Sequence, residues 1–266
     1  MKMLRVLCLL LLIGVAAAHE GEKSEDKGDG LRVLVFSGTG WYRHPEIPAI
    51  NGWLVRFGAK HGIQMDVTEN GKDLMPEVLE KYDVLLMNNS NALVKILNEE
   101  QRNSVEAWFK KGNGILGIHA LLVRQQEWEW LYELGGCDFD SDSLFLPAKV
   151  LVDPGAMDHP AVKGWGESFT YSADWTNHTK SVTGLPGVQV LLRVDESTYE
   201  PVRPLFIERG GKPMGDDHPI AWTREWQGGR FFYTEFGHDV RSLDTKFGRQ
   251  HLLAGIKWAA GEEEGD

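Results

Sequence analysis

The sequence predicts an α/β fold of three layers, a mostly parallel sheet with helices on both faces. Three observations lead there: short apolar runs rich in β-branched residues, segments of helical spacing between them, and turn residues at most junctions. LRVLVFS (31–37) is the first run and ends in Gly38-Thr39-Gly40. Ile47, Ile50, Leu54 and Phe57 follow at helical spacing, and IQMDV (63–67) with a helical segment at 73–80 makes a second, smaller unit. YDVLLMN (82–88) is the third strand. Val105, Trp108 and Phe109, behind the start signal Asn98-Glu99-Glu100, give the next helix, and GILGI (114–118) gives the fourth strand. Continuous apolar runs imply burial on both faces, and their alternation with helices implies right-handed βαβ units. From about residue 147 the texture changes to AKVLV, VQVLLRV, PIAWTREW and RFFYTEF, separated by Gly, Pro and Asp turns, with a last helix near 245–260. This half extends the sheet or lays antiparallel strands over it.

A chain of 266 residues, 42% of them hydrophobic, is long enough for one large domain, placed at 31–261. Ahead of it, Lys2 and Arg5, the apolar run Val6 to Val15 and the small residues Ala16 to Ala18 read as a secretory signal over 1–18. The expected location is secreted or periplasmic. Residues 19–30 form a flexible acidic leader and 262–266 an acidic tail. Cleavage after Ala18 removes Lys2 and Arg5 and no acidic residue, so the formal charge falls from −11 to −13. That excludes nucleic acid as a partner, and a membrane surface after cleavage, since both want basic patches. Cys8 leaves with the signal, and Cys137 alone cannot build a disulfide framework. Asn88 and Asn177 each open a glycosylation pattern, which matters only in a eukaryotic secretory route.

In an open parallel sheet, ligands collect outside the carboxyl ends of the strands. His44 follows the first strand, Asn88 and Asn89 end the third, His119 follows the fourth, and His238 follows RFFYTEF. His218, beside Asp216 and Asp217 at the entry to a strand, reaches the same rim if that strand is antiparallel. Histidines at such turns can move a proton near neutral pH or bind a metal, and a neighbouring carboxylate fixes the tautomer. His178 and His251 lack that placement. No tight metal-binding spacing is present, so a metal would be assembled from distant loops. Of ten Trp residues most belong to the core, Trp108 first among them, whereas Trp41 and Trp175 stand among polar and turn residues and suit a sugar face.

VLVFSGTGWYRHPEI, YDVLLMNN, KKGNGILGIHA, LLRVDESTY, GDDHPIAWTREWQGGRFFYTEFGHD and HLLAGIKWAAG together resemble the ThuA-like family, named for trehalose utilisation. The resemblance spans 31–261 and implies a flavodoxin-like fold of the class I glutamine amidotransferase kind. Where the amidotransferases carry a nucleophilic cysteine at the elbow, this chain has His119, so glutaminase activity is not expected. The resemblance implies a small saccharide ligand, a disaccharide or its keto derivative. It carries over His44, His119, Asp217, His218 and His238 as site residues, with Arg43 and Glu235 beside them. Phe139-Asp140-Ser141-Asp142-Ser143 departs from a Phe-x-x-His-Pro stretch, and Ala173-Asp174-Trp175 from Asp-Glu-Trp-Tyr. Leu121-Leu122-Val123-Arg124 replaces a more polar turn.

The expectation is a carbohydrate-active hydrolase, lyase or isomerase. His119, His238 and Asp217 would be its catalytic residues, with Asp217 orienting His218. Trp41, Arg43, His44, Trp175 and Glu235 would bind substrate. His44, His119, His218 and His238 would hold one divalent metal, zinc by preference. The alternative is a secreted carbohydrate-binding or structural protein that kept the fold without the chemistry. A thiol hydrolase through Cys137 is a third.

Overall fold

A computed structural model describes residues 30–262. The predicted signal lies outside the described residues, as do the leader up to residue 29 and the tail beyond 262. Among the described residues no helix is long and apolar enough to cross a membrane.

Nine strands form one sheet: β1 (Arg32–Phe36), β2 (Gln64–Thr68), β3 (Val84–Asn88), β4 (Gly114–Ile118), β5 (Phe139–Val152), β6 (Ser168–His178), β7 (Val188–Asp195), β8 (Pro219–Trp226) and β9 (Gly229–Thr234). Their order across the sheet is β2-β1-β3-β4-β9-β8-β7-β5-β6. The helices are α1 (Ile47–Lys60), α2 (Pro76–Leu79), α3 (Glu99–Lys110), α4 (Glu129–Gly135), α5 (Pro204–Ile207), α6 (Val240–Leu243) and α7 (Lys246–Ala260).

The expectation of a mostly parallel sheet needs correction. β2, β1, β3, β4 and β9 pair in parallel. From β9 through β8, β7, β5 and β6 every pairing is antiparallel. The reason lies in the connections: β8 turns into β9 through Gln227 and Gly228, both at positive φ, and a hairpin of that length can join only antiparallel strands. In the parallel half each crossover carries a helix or a helical turn, as a parallel pair requires.

Two apolar clusters cover the two faces. One packs Trp53, Leu54 and Phe57 of α1 and Leu252 and Ile256 of α7 against Val33, Val35, Leu86 and Leu116. The other packs Val105, Trp108 and Phe109 of α3 against Leu34, Phe36, Leu85 and Ile115. Alternate residues of the same strand therefore serve opposite faces, which is why the parallel strands read as unbroken apolar runs. Helix α3 begins where the sequence signals it, with a reciprocal capping box between Asn98 and Gln101.

Candidate functional site

The parallel strands deliver three imidazoles to one point. At the end of β4 the chain turns sharply into a 3-10 turn, and His119 takes a left-handed φ of 49°. A side chain with a Cβ adopts that conformation only under constraint. Here the Tyr233 hydroxyl, 2.7 Å from the His119 carbonyl oxygen, helps to hold it. After β9, Gly237 adopts φ 124°, and a Cβ there would stand 2.1 Å from Ile118 Cγ2. Only glycine lets this loop pass so close, and the passage carries His238 over His119. His44 arrives from the loop between β1 and α1. The Asn91 amide, donating to the Tyr42 carbonyl at 2.7 Å, fastens that loop to the one after β3.

The three rings form a triangle, with centroids 5.1 Å apart for His44–His119, 5.2 Å for His44–His238 and 5.0 Å for His119–His238. One donor atom from each lies within 4.8 Å of the others. The closest approach is 3.2 Å, between His238 Nδ1 and His119 Nε2.

Carboxylates surround the triangle. Asp174 Oδ2 lies 2.7 Å from His238 Nδ1 and 3.6 Å from His119 Nε2. Behind His119, Glu235 Oε1 faces Nδ1 at 3.1 Å, fixing the ring so that Nε2 points to the cleft. Glu235 is itself held by the Thr176 hydroxyl and by Tyr233 Oη, 2.8 Å from Oε2. Burial opposes a charge on His119, but Asp174, Glu235 and Asp142 outweigh it and push its pKa up to about 9. His44 moves the other way, down to about 3, through burial and then repulsion from His119 and His238. Burial also works against ionised Asp174, yet its histidine neighbours hold its carboxyl below the usual range. Asp142 is raised to about 7 by burial, with Arg203 opposing.

A cleft of about 290 Å³ opens onto this group. Trp41 and Tyr42 form one wall and Phe139, Phe206 and Arg203 another, with Asp142, Asp174 and Thr176 between. Two lining atoms are buried without a partner, His44 Nδ1 and Asp174 Oδ1. Arg203 Nε lies 2.5 Å from Asp142 Oδ1, a charge contact without hydrogen-bond alignment. Such atoms suit a ligand rich in hydroxyl groups. Three imidazoles, a carboxylate and an open side also fit a transition metal, since tetrahedral zinc with bonds of 2.0–2.1 Å spaces its nitrogens about 3.4 Å apart.

Of the expected site residues, His44, His119, His238 and Trp41 line this cleft, and Glu235 stands behind it. Four others lie elsewhere. His218 is fully buried behind the cleft wall, its Nε2 2.8 Å from the Thr176 carbonyl and its Nδ1 2.7 Å from Glu196, so neither nitrogen is left for a metal. Glu196, not Asp217, orients it. Asp217 is half-buried and accepts from the Thr183 hydroxyl at 2.8 Å. Trp175 is buried at 0% exposure because odd-numbered residues of β6 face away from Asp174 and Thr176. Arg43 turns outward to Glu69 at 2.6 Å.

Asn88 and Asn177, which opened the glycosylation patterns, are fully buried, as is Cys137, whose thiol burial pushes well above its ordinary range. A thiol mechanism through Cys137 has no access to the cleft. Asp142, Asp174, Thr176, Arg203 and Phe206 line the cleft, and the sequence marks none of them as site residues. Asp142 and Asp174 do stand in the two stretches that depart from the family pattern, and those departures are the one signal that points to them.

A sheet that carries its site on a strained elbow after a central parallel strand, flanked by loops from its neighbours, defines the class I glutamine amidotransferase-like fold. Within that class, the chain belongs to the ThuA family, whose sequence profile, described as trehalose utilisation, matches residues 32–259. A ThuA-like protein from Bacteroides uniformis superposes with a TM-score of 0.69 at 21% identity, over 94% of this chain and 97% of its own. One from Parabacteroides merdae gives 0.65 at 16%, over 89% and 92%. A candidate GMP synthase component from Thermoplasma acidophilum gives 0.52 at 14%, over 87% and 95%. Among curated proteins no significant sequence match is found. The family connects the chain to carbohydrate utilisation.

Proposed function

We propose that this chain is a carbohydrate-active enzyme that works in the histidine cleft on a small neutral saccharide, a disaccharide or its keto derivative. One observation carries the reading: three imidazoles from three separate loops converge on a cleft lined by aromatic rings and by the unpartnered carboxylate oxygen of Asp174. Aromatic rings cover the apolar faces of a pyranose, and the oxygens of Asp142 and Asp174 accept from its hydroxyls.

His44, His119 and His238 would hold one divalent metal, zinc by the chemistry of the donors. Bound there, zinc would polarise a substrate oxygen or supply an activated water. Glu235 orients His119 throughout. Asp174, against His238, is placed to take a proton from the reacting group and return it. The reaction class is hydrolysis, elimination or isomerisation, each of which needs such a proton carrier. A secreted or periplasmic setting is part of the proposal and rests on the basic, apolar and small residues of 1–18.

Elemental analysis of the purified protein, paired with a His119→Ala variant, tests this. About one equivalent of metal, lost in the variant together with sugar turnover while the thermal midpoint stays nearly unchanged, is the expected result. Saccharide binding with neither metal nor turnover would leave a binding protein instead.

A further inference from the structure

Trp41 combines two properties that rarely go together: it is 49% exposed, yet it is held from several directions. Its backbone N–H donates to Asn91 Oδ1 at 3.1 Å, and the Gly40 N–H donates to the Asn91 carbonyl at 2.8 Å. A Cβ on Gly40 would stand 2.1 Å from the Ala92 carbonyl oxygen, so the two loops touch backbone to backbone. The indole itself is covered on one side by Arg124, whose guanidinium carbon lies 4.1 Å from the ring centroid. Arg124 is in turn fixed at its backbone. It takes a left-handed φ of 57°, and its N–H donates to Asp138 Oδ1 at 2.9 Å while the Gln125 N–H donates to Oδ2 at 3.0 Å.

Among the described residues Arg124 forms no ion pair with a carboxylate, although Glu127 lines the same hollow on the outer side of Trp41 and pairs there with Lys95. Its guanidinium stacks on the indole face, and its charge also acts on the nearby Asp138 carboxylate. Trp41 also lines the histidine cleft, whereas Arg124 lines only the neighbouring hollow. An exposed ring that served only packing would need neither a strained arginine nor a clamp of two loops.

We propose that Arg124 is a positioning residue that props Trp41 as a rigid stacking platform, forming an outer subsite for the apolar face of a pyranose ring beside the histidines. The subsite rests on the carbohydrate reading of the same cleft. Asp138 is the anchor of the prop, and the guanidinium fixes the plane of the indole so that its other face can stack on sugar C–H groups.

The test uses the purified full chain, with methyl β-glucopyranoside and sorbitol as probes, followed through the indole N–H resonances, with that of Trp41 assigned by its loss in Trp41→Phe. Methyl glucoside should shift the Trp41 signal, and Trp41→Ala should weaken its binding about tenfold, in the range of one lost aromatic stack. Arg124→Ala should weaken it roughly threefold, with Arg124→Lys restoring most of the loss, as a cation–π contact at an exposed site predicts. Sorbitol, which has no ring face, should bind each variant like the wild type. Methyl glucoside binding with unchanged affinity in both alanine variants overturns the subsite alone. Absence of binding by either probe to the wild type overturns the carbohydrate reading and the subsite with it. Equal loss in Arg124→Lys and Arg124→Ala overturns the role of the cation.

Discussion

The two halves of the sheet build the cleft by different means. In the parallel half the strands β3 and β4 are buried along their whole length, and their only chemistry lies in the loops beyond their carboxyl ends. His44, His119 and His238 all come from such loops. In the antiparallel half most cleft-lining side chains sit within the strands, Phe139 and Asp142 in β5 and Asp174 and Thr176 in β6, while Arg203 and Phe206 come from α5 and its start. A register shift in β5 between Phe139 and Ser141 breaks its alternation and turns both Phe139 and Asp142 toward the cleft. One half thus supplies the nitrogen donors and the other the oxygen acceptors.

The comparison breaks most severely at Gly237, where the parallel half hands His238 over His119. Gly237→Ala places a Cβ in a backbone conformation at φ 124° and against Ile118. The expected cost is about 3 kcal/mol of stability, with the site lost as well. Denaturant unfolding measures it, and an unchanged midpoint would show that the loop has room the structure does not give it.

Next in size is Asp174→Asn, which asks whether the antiparallel half takes part in chemistry or only in walls. The amide keeps the shape and loses the charge between His119 and His238. Turnover should fall about 100-fold with KM little changed, the loss expected for a missing proton carrier. A KM effect alone would reduce Asp174 to substrate binding.

The difference between the halves also explains what can be read from the sequence. Apolar runs such as YDVLLMN and GILGI announce buried parallel strands, and the carboxyl-end rule then marks His44, His119 and His238 from residue order alone. β5 and β6 offer no such rule. Their side chains alternate between faces, and a single register shift decides which residues line a cleft, so nothing in the sequence tells Asp142 from Asp140. The same parity misplaces Trp175: among polar neighbours it looks like a ligand contact, yet it points to the other face from Asp174 and Thr176. His218 reaches the expected end of the sheet, but Glu196 and the Thr176 carbonyl take both of its nitrogens, and no spacing in the sequence reveals partners 22 and 42 residues away.

A smaller effect concerns two histidines buried away from the cleft. Burial, with His218 nearby, holds His178 down to about 3. Burial and His159, against the Ala161 carbonyl, hold His251 at about 4. Both are neutral when folded, while the unfolded chain titrates near 6.5, so their contribution is complete above about pH 6.5 and is lost as pH falls toward those folded values. Each removes up to about 1.4 kcal/mol per pH unit in that window. Thermal midpoints between pH 7 and 4.5 should therefore decline, and His178→Phe and His251→Phe should each flatten the slope; a slope unchanged in both assigns acid sensitivity to other groups.

The smallest expected effect is at Asp217, and it sharpens the boundary of the site. Asp217 stands one residue from His218, which makes it the natural orienting carboxylate on sequence grounds. In the fold it is half-buried, bonded to Thr183 and 3.4 Å from Arg193 Nε, and it does not line the cleft. The orienting role passes to Glu196, whose carboxylate also accepts from the Met214 and Gly215 N–H groups and so cannot move freely. Asp217→Asn should therefore change stability by no more than about 0.5 kcal/mol and leave sugar turnover intact. Glu196→Gln, in contrast, weakens the support of the Thr176 strand and should lower the thermal midpoint measurably. If Asp217→Asn instead abolished turnover, the cleft described by His44, His119 and His238 would not be the whole site, and the antiparallel half would hold a second reactive group.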